Sequence, residues 1–221
     1  MNGEETKAVA EVARATGEVA KLGGKAIDAA TGLGSWVSKT VGTIPEDLLG
    51  IAGGDWLKEQ RKRNLISLQE MTEKKLQDRI NAGTLMEPSV SVVLPLLKTA
   101  ADENRPELQE LWAGLLATSF QSDGGQRVRR AFFDTLQKLE PPDVMLFDAG
   151  VRQARSAGSN RFDMTPIAEK KGITGDDRTV STEALERLNL IQFSSMSMDG
   201  HHRITPYGRA FWEACNPQKS D

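Results

Sequence analysis

Cysteine, histidine and aromatic residues are scarce in this chain of 221 residues. The one cysteine, Cys215, excludes a secreted scaffold held by disulfide bonds and is typical of a protein kept in a reducing cytoplasm. Two histidines leave almost no candidates for a hydrolase triad. Aromatic residues make up 5% of the chain, so we expect a lean hydrophobic core.

Long apolar runs and an excess of one charge are also missing. No stretch of about 18 apolar residues occurs, which excludes an ordinary transmembrane helix. The first residues lack the basic start and the continuous apolar run of a secretion signal. A net charge of −3 gives no general attraction to nucleic acid. Together these absences predict a cytoplasmic protein.

Glycine, by contrast, is concentrated at one end. Ten of the twenty glycines lie in residues 1–54, among apolar residues that otherwise follow helical spacing. Each glycine in a helix interior costs about 1 kcal/mol relative to alanine, yet glycine and alanine on a helix face let another backbone or a lipid surface come close. We therefore expect this glycine-rich arm to contact a membrane or a protein outside its own fold.

A basic run follows the arm and favours an anionic membrane surface, with a solvated helix face as the alternative. The side chains predicted to contact lipid or a protein partner are Trp36, Val37, Val41, Ile44, Lys58, Arg61, Lys62 and Arg63.

Residues 55–157 are predicted to form a helical core. The first helix, 55–82, carries a buried stripe that includes Leu65, Leu68 and Leu76. Pro88 and Pro95 bracket an apolar segment that we interpret as a short, kinked turn. The most regular helical pattern runs from residue 108 to 120 on one face, with Trp112 in the core.

Residues 158–221 change character. The pattern predicts two short helices, two strands joined by a turn at Met198–Gly200, and a closing helix. This is the order of a winged helix-turn-helix. The predicted fold is thus mainly α: a glycine-rich helical arm, a helical bundle core and a winged-helix-like domain.

A winged helix raises the alternative of a DNA-binding regulator, because its second helix often enters the major groove. The predicted nucleic-acid contacts are Arg178, Arg187 and Arg203. Residues 161–221 nevertheless hold eight basic and nine acidic residues, a balance that opposes phosphate binding.

Metal, cofactor and catalytic sites are not predicted. His201 and His202 are adjacent, so on a strand they face opposite sides and cannot easily share an ion; we interpret them as polar residues at the wing tip. Gly23-Gly24-Lys25 lacks the remaining residues of a phosphate-binding loop. We expect no enzyme activity and infer no small-molecule substrate.

Three segments resemble the Abi-alpha family of bacterial abortive infection proteins. They are Glu107-Leu-Gln-Glu-Leu-Trp-Ala-Gly-Leu-Leu-Ala117, Ala131-Phe-Phe-Asp-Thr-Leu-Gln-Lys-Leu-Glu-Pro-Pro-Asp143 and Ile204-Thr-Pro-Tyr-Gly-Arg-Ala-Phe-Trp-Glu-Ala-Cys215. The run Thr6–Ala13 is also similar to the family. The resemblance implies a role in phage defence through growth arrest or death of the infected cell, and it supplies no catalytic residue.

We therefore expect a non-enzymatic defence effector, peripheral to the inner membrane and acting through its arm. The alternatives are the DNA-binding regulator and an interaction scaffold that pairs with itself or with a second defence protein.

Overall fold

The computed structural model describes residues 54–82, 85–122, 124–194 and 201–217. These residues are mainly helical, which confirms the predicted fold class. The glycine-rich arm lies outside the described residues, except for Gly54, and so do the predictions for Trp36, Val37, Val41 and Ile44. The predicted turn at Met198–Gly200 lies outside them as well.

Six helices in the described residues precede the sheet: α1 Gly54–Ala82, α2 Val90–Ala100, α3 Pro106–Ser119, α4 Gly124–Arg127, α5 Arg130–Lys138 and α6 Pro141–Ser156. The remaining elements are β1 Arg161–Phe162, α7 Met164–Lys171, α8 Gly175–Arg187, β2 Ile191–Phe193, β3 His202–Ile204 and α9 Pro206–Cys215.

Helix α3 lies at the centre of the molecule and is buried on every side from Leu108 to Ser119, apart from Glu110. The prediction of a single buried face was too narrow, because α1, α2, α6 and α9 all pack around this helix. Small residues explain how they fit: Gly114 leaves room for the backbone of α9. Trp112 is in the core, as predicted.

The predicted short turn between the prolines is wrong, because α2 runs through Pro95 for a total of 11 residues. Proline removes one backbone donor from a helix interior. The buried side chains of Val93, Leu96 and Leu97 hold the segment against the core despite that loss. The Thr99 hydroxyl also donates a hydrogen bond to the Pro95 carbonyl at 2.8 Å.

The C-terminal region follows the predicted order of helices and strands and adds a strand, β1, that the sequence pattern missed. The sheet is antiparallel with the order β1-β3-β2. Arg161 and Gln192 flank Arg203, while Phe162 and Phe193 flank His202. The winged-helix interpretation stays a prediction. Buried residues from Leu65 in α1 to Cys215 in α9 form one hydrophobic cluster.

Candidate functional site

The predicted basic run lies in the first turns of α1, but its members do not share one face. Lys58, Lys62 and Arg63 are exposed. Arg61 faces the turn between α2 and α3, where its Nε donates to Asp102 Oδ1 at 2.5 Å and its Nη2 to Oδ2 at 3.2 Å. Because residue 61 precedes Leu65 by four, Arg61 begins the buried stripe of this helix.

The outward face of α1 carries two large apolar side chains beside two of these cations. Trp56 is 71% exposed and Ile66 is 48% exposed. At 100° per residue, Trp56, Lys62, Arg63 and Ile66 fall within an arc of about 120°. We name these four residues the α1 outward patch. Asp55 and Glu59 lie in the same arc, so the formal charges on this face cancel from residue 55 to 66.

Trp56 and Ile66 were not predicted as contact residues, because the buried apolar stripe dominates the spacing of α1. The opposite stripe was readable from the same spacing, since residues 56, 63, 66 and 70 fall away from Leu65 and Leu68.

Hydrogen bonds from the inward face of α1 fix the rotation of this helix about its own axis. Asn64 Nδ2 donates to the Ala101 carbonyl at 2.8 Å, and Ser67 Oγ donates to Gln109 Oε1 at 2.9 Å. Both side chains come from the same turns as the outward patch. The patch is therefore presented by a helix whose rotation is fixed by specific hydrogen bonds.

A second polar cluster ties the turn before α3 to the start of α6. Arg105 donates to both carboxylate oxygens of Glu103 at 2.9 Å and to Glu140 at 2.5 Å. Burial raises the pKa of Glu103, but the hydrogen bonds and charge of Arg105 outweigh it and hold that pKa below its usual value. The Asp143 carboxylate accepts from the Glu140 backbone N–H and completes a capping box at the start of α6. Each charged group has a structural partner, so the cluster joins helices rather than forming a reactive site.

The three arginines predicted to contact nucleic acid do not form one surface. Arg178 and Arg187 are nine residues apart on α8, which places them on opposite sides of the helix. Arg178 Nη1 donates to Thr165 Oγ1 at 3.1 Å, and Arg203 Nη2 donates to Gln192 Oε1 at 2.8 Å.

The exposed stripe of α8 itself includes Asp176, Val180, Glu183 and Arg187. This stripe carries one positive and two negative charges, a poor match for phosphate. DNA contact through these residues stays a prediction.

His202 is buried rather than a polar residue at the wing tip. Its ring packs against Phe162 at 6.1 Å and Phe193 at 5.7 Å between centroids. Burial lowers its pKa, while the charge of Glu186, 4.0 Å from Nε2, acts in the opposite direction. Among the described residues, no cluster of three or more histidine, cysteine or acidic side chains could hold a metal ion.

The lone thiol is also enclosed. Cys215 is fully buried at the end of α9, and this burial raises its pKa. A protonated thiol with no exposure is a poor nucleophile. The α1 outward patch, by contrast, is accessible and offers apolar and cationic side chains for contact.

Within the described ranges, no helix combines the length and the hydropathy needed to cross a membrane. Helix α1 has the length, 29 residues, but it carries charges throughout.

A protein-family model described as "Abortive infection alpha" matches residues 60–215, well over half of the chain. The match runs from the second turn of α1 to the end of α9. No curated protein and no solved structure matches the chain.

Proposed function

Since the chain belongs to the abortive infection alpha family, we propose that it is a non-enzymatic effector of phage defence that acts at the inner membrane surface. The observation that carries the membrane part of this proposal is the α1 outward patch. It exposes an indole and an aliphatic side chain next to two cations on a helix held firmly by its opposite face.

The patch has the chemistry of a peripheral membrane contact. Tryptophan favours the boundary between lipid headgroups and hydrocarbon. Each lysine or arginine close to an anionic surface contributes about 1 kcal/mol. Lys62 and Arg63 alone therefore give weak, reversible binding, which Trp56 and Ile66 strengthen by burying apolar surface. The predicted arm contacts and Lys58 would add to the same surface.

Vesicle co-sedimentation of the full-length protein tests this proposal. We expect binding to vesicles of phosphatidylglycerol and phosphatidylcholine, and little binding to phosphatidylcholine alone. Lys62→Glu with Arg63→Glu should weaken binding at least about tenfold, because two attractions become repulsions. Lys98→Glu with Lys170→Glu makes the same charge change at exposed positions on α2 and α7, outside α1, and should bind nearly as the wild type. Equal loss in both variants, or no binding to anionic vesicles, contradicts the proposal.

The same pair of variants connects membrane binding to defence. Cells that carry the Lys62/Arg63 variant should lose phage resistance, whereas cells with the Lys98/Lys170 variant should keep it. Full resistance in both strains would show that defence does not depend on the α1 outward patch.

The interaction scaffold remains the competing function, because an exposed indole beside cations also suits a protein partner. Size-exclusion mass measurements of the wild type and of Trp56→Ala test self-association through this surface. A mass that falls from oligomer to monomer in the variant would favour the scaffold.

A further inference from the structure

A cleft of about 580 Å³ lies where the end of α6, the turn after it and α9 meet. Its polar lining includes Arg155, Ser159, Asn160, Arg209 and Glu213, and Ile204 contributes apolar surface. This volume falls in the range of pockets that hold small organic ligands. The cleft is separate from the α1 outward patch, which lies on another helix.

The turn that edges the cleft has a defined shape. Gly158 has a φ of 60°, and the Ser159 N–H reaches back to the Ala154 carbonyl at 2.8 Å. This pairing closes the end of α6 in the manner of a Schellman motif. The chain then continues directly into β1, with the Asn160 carbonyl accepting a hydrogen bond from Ile204 N–H at 2.9 Å. The lining is therefore anchored to both α6 and the sheet.

Arg155 is held in place without using its hydrogen-bond donors. Its guanidinium stacks on the Trp212 ring, with Cζ 5.0 Å from the ring centroid. The nearest carboxylate oxygen, on Glu213, is 3.7 Å from Nη1, beyond hydrogen-bond distance. Trp212 is itself fixed, because its Nε1 donates to Asp148 Oδ1 at 3.0 Å.

Arg209 supplies a second guanidinium from α9. It is exposed, and no described side chain pairs with it. Arg155 and Arg209 together with Glu213 give the cleft a net charge of +1. The two guanidiniums offer ten N–H donors, against one carboxylate that only weakly engages Arg155.

We propose that this cleft binds a small phosphate-bearing molecule, with Arg155 and Arg209 holding the phosphate. A guanidinium matches phosphate oxygens with a planar fork of donors, and a tetrahedral phosphate can accept from two such forks. The Asn160 amide and the Ile204 side chain then contact the organic part of the ligand. A volume of about 580 Å³ accommodates a molecule the size of a mononucleotide.

Isothermal titration of the full-length protein at low salt tests this assignment with AMP, inorganic phosphate and adenosine as probes. We expect AMP and phosphate to bind and adenosine to bind at least about tenfold more weakly than AMP, because the phosphate supplies the charge-assisted bonds. Binding of neither AMP nor phosphate, or equal affinity for AMP and adenosine, overturns the proposal.

Two substitutions in the cleft should change the affinity for AMP in opposite directions. Arg209→Ala should weaken AMP binding about tenfold or more, whereas Glu213→Gln should strengthen it a few-fold by removing a competing negative charge. Arg129→Ala removes an exposed arginine outside the cleft and should leave the affinity unchanged. Wild-type affinity in Arg209→Ala overturns the assignment, provided that its circular dichroism spectrum matches the wild type.

The result of these AMP-binding measurements is independent of the membrane proposal. Arg209→Ala should still bind anionic vesicles as the wild type does, because Lys62 and Arg63 are unchanged.

Discussion

His202 is a single residue whose surroundings favour the neutral imidazole. It lies between Phe162 and Phe193, and its Nδ1 has no hydrogen-bond partner in the described structure. The charges nearby are those of Glu186 and Asp163, which favour protonation, and of His201, which opposes it. Burial is the largest of these effects and lowers the pKa below 6.5.

This lowered pKa predicts a loss of stability in mild acid. Below pH 6.5 the unfolded chain takes up a proton at this position before the folded protein does, so the free energy of unfolding falls until the pH has passed the lowered pKa. Denaturant unfolding at a series of pH values measures the slope. His202→Phe should flatten it, since phenylalanine does not titrate, whereas His201→Asn should retain it. A wild-type slope in His202→Phe would mean that another group is responsible.

The burial of His202 could not be predicted from two adjacent histidines. Placing this residue at the centre of the sheet required β1, and a strand of two residues gives almost no periodic signal. The pairing of Arg61 with Asp102, which removes Arg61 from the exposed basic run, could not be predicted for a similar reason. Its partner Asp102 is 41 residues away in the sequence.

Between elements, α3 and α9 approach closely where they cross at Gly114. A Cβ atom at this position would lie 1.6 Å from the carbonyl oxygen of Cys215. One turn later, Thr118 Oγ1 donates to the Ala214 carbonyl at 2.7 Å. The two helices therefore meet backbone to backbone, and a hydrogen bond fixes their register.

Gly114→Ala should destabilise the protein by about 3 kcal/mol, because the obstructing atom belongs to the backbone and cannot rotate away. Thermal unfolding followed by circular dichroism measures the effect. Gly175→Ala is the matched control, since a Cβ atom there meets nothing within 4 Å and alanine suits the first turn of α8. A Gly114→Ala protein as stable as the control would show that the crossing tolerates a wider separation.

Helix type and approximate length were predictable for α1, α3 and α9, because their apolar residues recur at helical spacing. The burial of α3 on all sides was not. Gly114 is apparent in the sequence. Its partner helix, α9, lies about a hundred residues later, so residue spacing does not show which helix packs against it. The length of α2 was underestimated because Pro95 is a helix breaker by propensity and the buried face of α2 overrides it.

Across the whole molecule, one hydrophobic cluster runs from α1 to α9 and crosses the boundary that we predicted at residues 157 and 158. Helix α9 contacts α3, and α7 and α8 contact α6. A core shared in this way favours one cooperative unfolding unit.

Native-state hydrogen exchange tests this expectation. Slowly exchanging amides of α1 and of α9 should report the same free energy of opening, and Gly114→Ala should lower both by the same amount. Separate values, with the region after residue 157 opening at lower cost, would support two independent domains instead.

Function at this scale was predictable only in part. The resemblance identified the family, because helical core patterns extend over most of the chain. The cleft between α6 and α9 was not foreseen, since Arg155 and Arg209 lie 54 residues apart and neither belongs to a recognisable binding motif.

The dependence of α3 on α9 also affects the order of events during translation. The ribosome finishes α3 while the 96 residues from Phe120 to Cys215 remain to be made, an interval on the order of ten seconds at typical elongation rates. During that time the face of α3 around Gly114 lacks the α9 backbone that covers it in the folded protein. A chain that ends before α9 therefore leaves the face of α3 around Gly114 uncovered.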